Sequence, residues 1–277
     1  MQVDLKDKVA VVTGAGGVIC SVMAEALALS GAKVALLDLK LEAAQERAKE
    51  ITEKGGIARG YQCNVLEKDS IQAARDAIAA ELGTCDILVN GAGGNNPKAT
   101  TEDEYFVPED LGQMKTFFDL DPSGVEFVFG LNFMGTLLPT QIFAKDMVQK
   151  KGASIINIAS MNAYTPLTKI PAYSGAKAAI VNFTEWLAVH FSKVGIRCNA
   201  IAPGFLATEQ NRALLFHEDG TPTARTGKIL AGTPMERFGE PEELIGALLF
   251  LACEEASGFV SGVCIPVDGA FAAYSGV

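Results

Sequence analysis

The chain has 277 residues, 33 acidic and 23 basic side chains, a net charge of −10 and an apolar fraction of 49%. That length buries one large core, and the acidity argues against nucleic acid or an anionic membrane as partner. Six scattered cysteines without a C-x-x-C pair and only two histidines, His190 and His217, predict neither a disulfide framework nor a metal site.

The opening Met-Gln-Val-Asp-Leu-Lys lacks signal-peptide character, and no apolar run is expected to be long enough to span a bilayer. A reduced, cytoplasmic protein is the expectation. Short β-branched runs alternate with longer amphipathic ones. This rhythm predicts a single doubly wound α/β domain over residues 1–277, with a seven-stranded parallel sheet of Rossmann type.

The first strand, 8–13, runs into Thr13-Gly14-Ala15-Gly16-Gly17-Val18-Ile19-Cys20 and a helix at 19–30. Gly14, Gly16 and Gly17 let the backbone approach a pyrophosphate, and Val18 and Ile19 open the helix whose positive end would receive it. The second strand, 33–38, ends on Asp38. A carboxylate there can accept both adenosine ribose hydroxyls and repels a 2′-phosphate, so NAD is favoured over NADP. A helix at 41–54 precedes the strand 58–64, which ends at Asn64 and Val65. After a helix at 67–82, the strand 87–90 ends in Asn90-Gly91-Ala92-Gly93; Asn64 and Val65, and Asn90, Ala92 and Gly93, are candidates to line the adenine and ribose.

Residues 94–124 are polar and poorly periodic, and a helix at 125–150 carries Asn132. The strand 154–159 leads to Ser160, and a helix at 172–194 carries Tyr173 and Lys177. Tyr and Lys four apart lie one turn apart on a helix face. An ammonium there pulls the phenol pKa down toward neutrality and makes a general acid/base. A strand at 196–201 opens a second irregular segment, 203–240, before a helix at 241–254 and the strand 263–267. Both long loops would emerge at the carboxyl edge of the sheet, where ligands bind.

Thr13–Cys20, Asp38, Asn90–Gly93, Asn132, Ser160, Tyr173/Lys177, Pro203-Gly204 and Val267-Asp268-Gly269 resemble the ordered motifs of the short-chain dehydrogenase/reductase family over essentially the whole chain. Within it, segments 115–121, 160–169 and 208–212 are similar to the bacterial D-mannonate oxidoreductase (fructuronate reductase) group. One departure stands out: the second and third glycines of the family's T-G-x-x-x-G-x-G turn are Val18 and Cys20 here. A slightly altered phosphate turn that still binds cofactor is expected.

The resemblance implies NAD as cofactor, with hydride passing between it and a substrate carbon. It makes Tyr173 the acid/base, Lys177 its pKa partner and a ribose contact, Ser160 the holder of the substrate oxygen, and Asn132 the residue positioning Lys177. Pro203, Gly204 and Thr208 would lie beside the nicotinamide. D-mannonate and D-fructuronate are the implied substrate pair. A gluconate 5-dehydrogenase-like activity on another aldonate or polyol is the alternative, and a non-catalytic nucleotide-binding regulator the rival of another class. A sugar acid needs a cation and hydroxyl partners: Lys98, Lys169 and Arg212, with Asn95, Asn162, Gln210 and Asn211. Phe117-Phe118 would anchor the first loop to the core. Relatives pair subunits through the helix at 172–194, so a homotetramer is expected.

Overall fold

Strand β1 (Val9–Thr13) is buried at every position, and so are β4 (Ile87–Asn90), β5 (Ser154–Ile158) and β6 (Arg197–Pro203). Such two-sided burial is the signature of a parallel sheet covered on both faces. The computed structural model describes residues 3–148, 150–208 and 215–276. With β2 (Lys33–Asp38), β3 (Ile57–Gln62) and β7 (Cys264–Val267), these strands form one all-parallel, seven-stranded sheet in the order β3-β2-β1-β4-β5-β6-β7. The order reverses between β1 and β4, which opens a crevice at their carboxyl ends.

Alternating side chains feed two cores. Ala10 and Val12 pack with Leu27 of α1 (Val18–Leu29) and with Leu248 and Leu251 of a late helix, α8 (Ile245–Ala252). Val9 and Val11 face the other way, onto Ile78 of α3 (Lys68–Glu81) and Phe143 and Met147 of α5 (Gly135–Met147). Each such fully buried side chain contributes ~1.5–3 kcal/mol of hydrophobic stabilisation. Helix α2 (Leu41–Glu53) covers β2 and β3 through Ala44, Ala48 and Ile51.

Several boundaries differ from the sequence reading. The helix expected at 125–150 starts at Pro122, where Asp121 caps it. It runs as α4 (Pro122–Phe129), a π-helical turn (Gly130–Met134) and α5. This continuous run, Pro122–Met147, has the length and hydropathy of a membrane span, which corrects the expectation that the chain has none. Its apolar face instead packs on α3 and β4. Helix α6 (Pro171–His190) stops before a separate 3₁₀ turn, Ser192–Val194, closed by Gly195 at φ 80°. The second long loop contains a helix the sequence did not announce, α7 (Ala224–Ala231), and α8 is followed by the single turn α9 (Glu254–Ser257). In the first loop, Phe117 and Phe118 do not anchor the segment in the core. They are 66% and 67% exposed, and Phe118 packs edge-on against Phe106.

Candidate functional site

The glycine turn after β1 is fixed by contacts only glycine allows. Gly14 sits at φ 67°, and a Cβ on it would lie 2.9 Å from the Ala92 backbone. Gly16 donates its N–H to Asp38 Oδ2 at 3.0 Å, and its Cα faces Ala43 and the Asp38 carboxylate too closely for a side chain. Asp38 Oδ1 accepts from the Lys40 N–H at 3.0 Å, so the carboxylate is held in one orientation at the end of β2. Thr13 Oγ1 accepts from Gly91 N at 3.0 Å and Ala92 N at 3.2 Å, tying the β4 turn to the β1 turn. The sequence reading missed this Thr13 clamp, which a single hydroxyl does not advertise.

Helix α1 begins at Val18 after Gly17, with no side-chain cap and no acidic residue in its first turn. Its free N–H groups and positive end suit a phosphate. Gly14, Gly17, Val18, Ile19 and Asp38 line a cavity of about 800 Å³ at the crevice. Asn64, Val65, Ala92, Gly93, Gly204 and Thr208 line it too. Asn64 lies beyond β3, its side chain committed to Glu67 Oε1 and Leu66 N in the turn before α3. Pro203 is buried at the end of β6, paired with Val267 of β7.

Asn90 departs from expectation. Its side chain is buried and donates to Thr140 Oγ1 and Asn157 Oδ1, so it braces the sheet interior rather than facing the cavity. Cys20 also lines the cavity. Burial pushes its thiol up to about 12, against the opposing pull of Lys177, so it is a packing group and not a thiolate. The room for it comes from Gly91, where a Cβ would collide with Cys20 Sγ. The missing family glycine is thus offset across the turn.

Asn132 sits in the π-helical turn, fully buried. Such bulges turn a side chain out of the regular helical frame and recur at functional sites. Asn132 Nδ2 donates to Gly94 O at 2.8 Å and Val128 O at 2.7 Å, and Oδ1 accepts from Gly94 N at 3.3 Å. Lys177 Nζ donates to Ile158 O at 2.9 Å. A Cβ on Gly93 would meet both Asn132 Oδ1 and Lys177 Nζ, so that glycine keeps the space between them.

Tyr173, one turn before Lys177, has its ring 5.5 Å from Nζ. Burial pushes the phenol above its ordinary range, with a hydrogen bond to Ser160 pulling the other way. Burial also lowers Lys177 to about 8. The expectation that Lys177 would depress Tyr173 fails in this structure because desolvation dominates both groups. Ser160 Oγ accepts from Asn162 N at 3.3 Å in the turn after β5. Asn162 is buried and its Oδ1 has no hydrogen-bond partner.

A second cavity of about 440 Å³ adjoins the first and shares Phe205, Arg225 and Ile229 with it. Leu167–Ile170, the segment leading into α6 and Tyr173, forms another wall. Lys169 lies in that wall with φ 73°, a strained conformation for a side-chain-bearing residue. Lys98, in contrast, is outside both cavities and paired with Asp121 at 3.3 Å. Asn95 is exposed and donates to Thr100 Oγ1. Arg212, Gln210 and Asn211 lie outside the described residues. Arg225 and the whole of α7 were missed, since eight residues containing Gly227 carry little helical signal.

The family model for short chain dehydrogenases matches residues 8–218. An uncharacterised oxidoreductase of Haemophilus influenzae is 64% identical over 274 residues, 99% of this chain and 96% of that protein. The uncharacterised oxidoreductase UxuB of Bacillus subtilis is 52% identical over 274 residues, 99% of this chain and 98% of its own. A crystal structure from Haemophilus influenza with bound NAD, provisionally assigned as a D-mannonate oxidoreductase, superposes with a TM-score of 0.96. It is 64% identical over 99% of this chain and 98% of that one. With the parallel sheet, the glycine turn and the Ser160/Tyr173/Lys177 cluster in place, the chain belongs to the short-chain dehydrogenase family.

Proposed function

We propose that the protein is an NAD-dependent oxidoreductase that interconverts the hydroxyl of D-mannonate and the ketone of D-fructuronate. The observation that carries the reaction class is Tyr173 near Ser160, with its ring 5.5 Å from the Lys177 ammonium one helical turn on, and Gly93 separating that ammonium from a dinucleotide-sized cavity. The NAD bound to the Haemophilus relative supports the cofactor, and that relative's provisional assignment supports the sugar acid. Asp38 fits NAD, since its carboxylate has lone pairs left for ribose hydroxyls and repels a 2′-phosphate. When bound, NAD accepts or supplies the hydride.

The chain's own residues handle the proton and the oxygen. Ser160 Oγ and the Tyr173 hydroxyl together hold the reacting oxygen. Tyr173 gives its proton to the oxygen during reduction and takes it back during oxidation. Lys177, held by Ile158 O, places positive charge near the phenol, and Asn132 shapes the pocket in which that ammonium sits. The unsatisfied Asn162 Oδ1 is an acceptor for a substrate hydroxyl.

In this reading the enzyme is cytoplasmic and tetrameric. A half-exposed aromatic stack on α6, in which Trp186 lies between Phe183 and His190, is the face that meets a second copy. Sedimentation analysis tests the tetramer. For activity, the purified protein is assayed on a panel of aldonates and hexuronates with NADH and NADPH. Brisk fructuronate reduction with NADH is expected, lost in Tyr173→Phe with NADH binding retained. Turnover of another aldonate alone, such as gluconate, refutes the substrate. Full activity of Tyr173→Phe refutes the acid/base.

A further inference from the structure

We propose that Arg225 is the anchor for the substrate carboxylate, an inference that rests on the sugar-acid reading above. Arg225 lines both cavities, at the place where the dinucleotide space opens into the space walled by the segment entering α6. Ser160 and Tyr173 themselves line neither cavity, but the Leu167–Ile170 wall runs straight into α6, whose third residue is Tyr173.

Its charge is uncommitted. Among the described arginines, Arg47, Arg59, Arg75 and Arg237 form ion pairs with carboxylates. Arg197 is buried and donates to Leu251 O and Ser257 Oγ. Arg225 alone makes no ion pair or hydrogen bond among the described residues. Lys228, one turn on, is neutralised by Glu104 at 2.8 Å across the second cavity. The wall therefore holds three cations against one carboxylate, in a protein whose net charge is −10. A local positive field against an acidic background selects an anion.

The helix that carries Arg225 is pinned. Thr223 Oγ1 caps α7 by accepting from Thr226 N at 3.3 Å, buried Thr226 donates to Leu215 O, and buried Ile229 lines the same two cavities one turn further on. A fixed backbone and a planar guanidinium suit bidentate binding of a carboxylate, which the flexible Lys169 ammonium cannot match.

The test uses the full-length protein, with D-fructuronate and NADH as probes, and the variants Arg225→Gln, Arg225→Lys and Lys169→Gln. Loss of a charge-assisted pair raises the KM of Arg225→Gln for fructuronate roughly 100-fold with kcat within about threefold. Arg225→Lys falls between the two, and the Kd for NADH measured by fluorescence stays within about twofold in both. A KM change below about threefold in Arg225→Gln overturns the anchor, as does a rise in NADH Kd that matches the KM effect and assigns Arg225 to the dinucleotide. A larger KM effect in Lys169→Gln overturns it in favour of Lys169. Failure of the wild-type protein to reduce fructuronate is a different result, and refutes the substrate reading on which the anchor rests.

Discussion

Lys177 is a charged group in the wrong place for stability, and removing it tests that. Burial lowers its pKa to about 8 from the ordinary 10.5. At ~1.4 kcal/mol per pH unit, the gap corresponds to a penalty of about 3 kcal/mol for keeping the ammonium inside the folded chain. Below about pH 8 both states bind the proton and the folded state bears the penalty in full. Between about 8 and 10.5 the unfolded state binds more protons, so stability rises with pH. In Lys177→Met the penalty is gone, and the hydrogen bond to Ile158 O is lost at a cost of ~1 kcal/mol. The variant is therefore about 2 kcal/mol more stable at pH 7, and the two proteins converge near pH 9.5, where the wild-type penalty has fallen to ~1 kcal/mol. Urea unfolding followed by circular dichroism at both pH values, at matched subunit concentration, measures the difference. A variant less stable at pH 7, or a difference that does not shrink as pH rises, refutes the desolvation argument. The same variant should be inactive.

Because burial raises the Tyr173 phenol, oxidation of the alcohol substrate, which needs the phenolate, increases with pH through 9, while ketone reduction, which needs the phenol, is retained near neutrality. Initial rates in both directions from pH 6 to 10 check this, and an oxidation rate flat above pH 7 counts against it. Gly91→Ala drives a methyl into Cys20 Sγ and destabilises by ~1–3 kcal/mol. Adding Cys20→Ala recovers most of the loss, and a double-mutant cycle without coupling excludes the contact as its cause. If the substrate is the sugar acid proposed above, Lys228→Ala frees Glu104 to face it, so the KM for fructuronate rises several-fold while stability changes by less than ~1 kcal/mol, as for an exposed ion pair. Steady-state kinetics beside thermal melts separate the two effects.

Strand–helix alternation placed all seven strands within a few residues; β1, β4, β5 and β6 stood out because two-sided burial writes continuous apolar runs, whereas the edge strands β3 and β7 are only partly buried and rested on the rhythm alone. What it could not write was length-independent local structure. The π-helical turn around Asn132 arises where a regular helix takes up an extra residue, and nothing in Gly130–Met134 marks it. Helix α7 has eight residues and a central Gly227, so its helical state rests on the Thr223 cap and the burial of Thr226 and Ile229, both tertiary facts.

The same division holds for the site. Asp38, the glycine turn and the Ser160/Tyr173/Lys177 spacing were legible because each role depends on residue type at a fixed position along a strand or helix. The electrostatics were not: a tyrosine and a lysine one turn apart read as a pair that shares a proton, until burial outweighs their mutual charge. Substrate recognition was less legible still. Lys98 and Lys169 carry the same charge in sequence, yet one is spent on Asp121 and the other faces the second cavity. A cation matters to an anionic ligand only where no carboxylate of the chain has already claimed it. In a chain of net charge −10 that condition is hard to meet, and Arg225, at the junction of the two cavities, meets it.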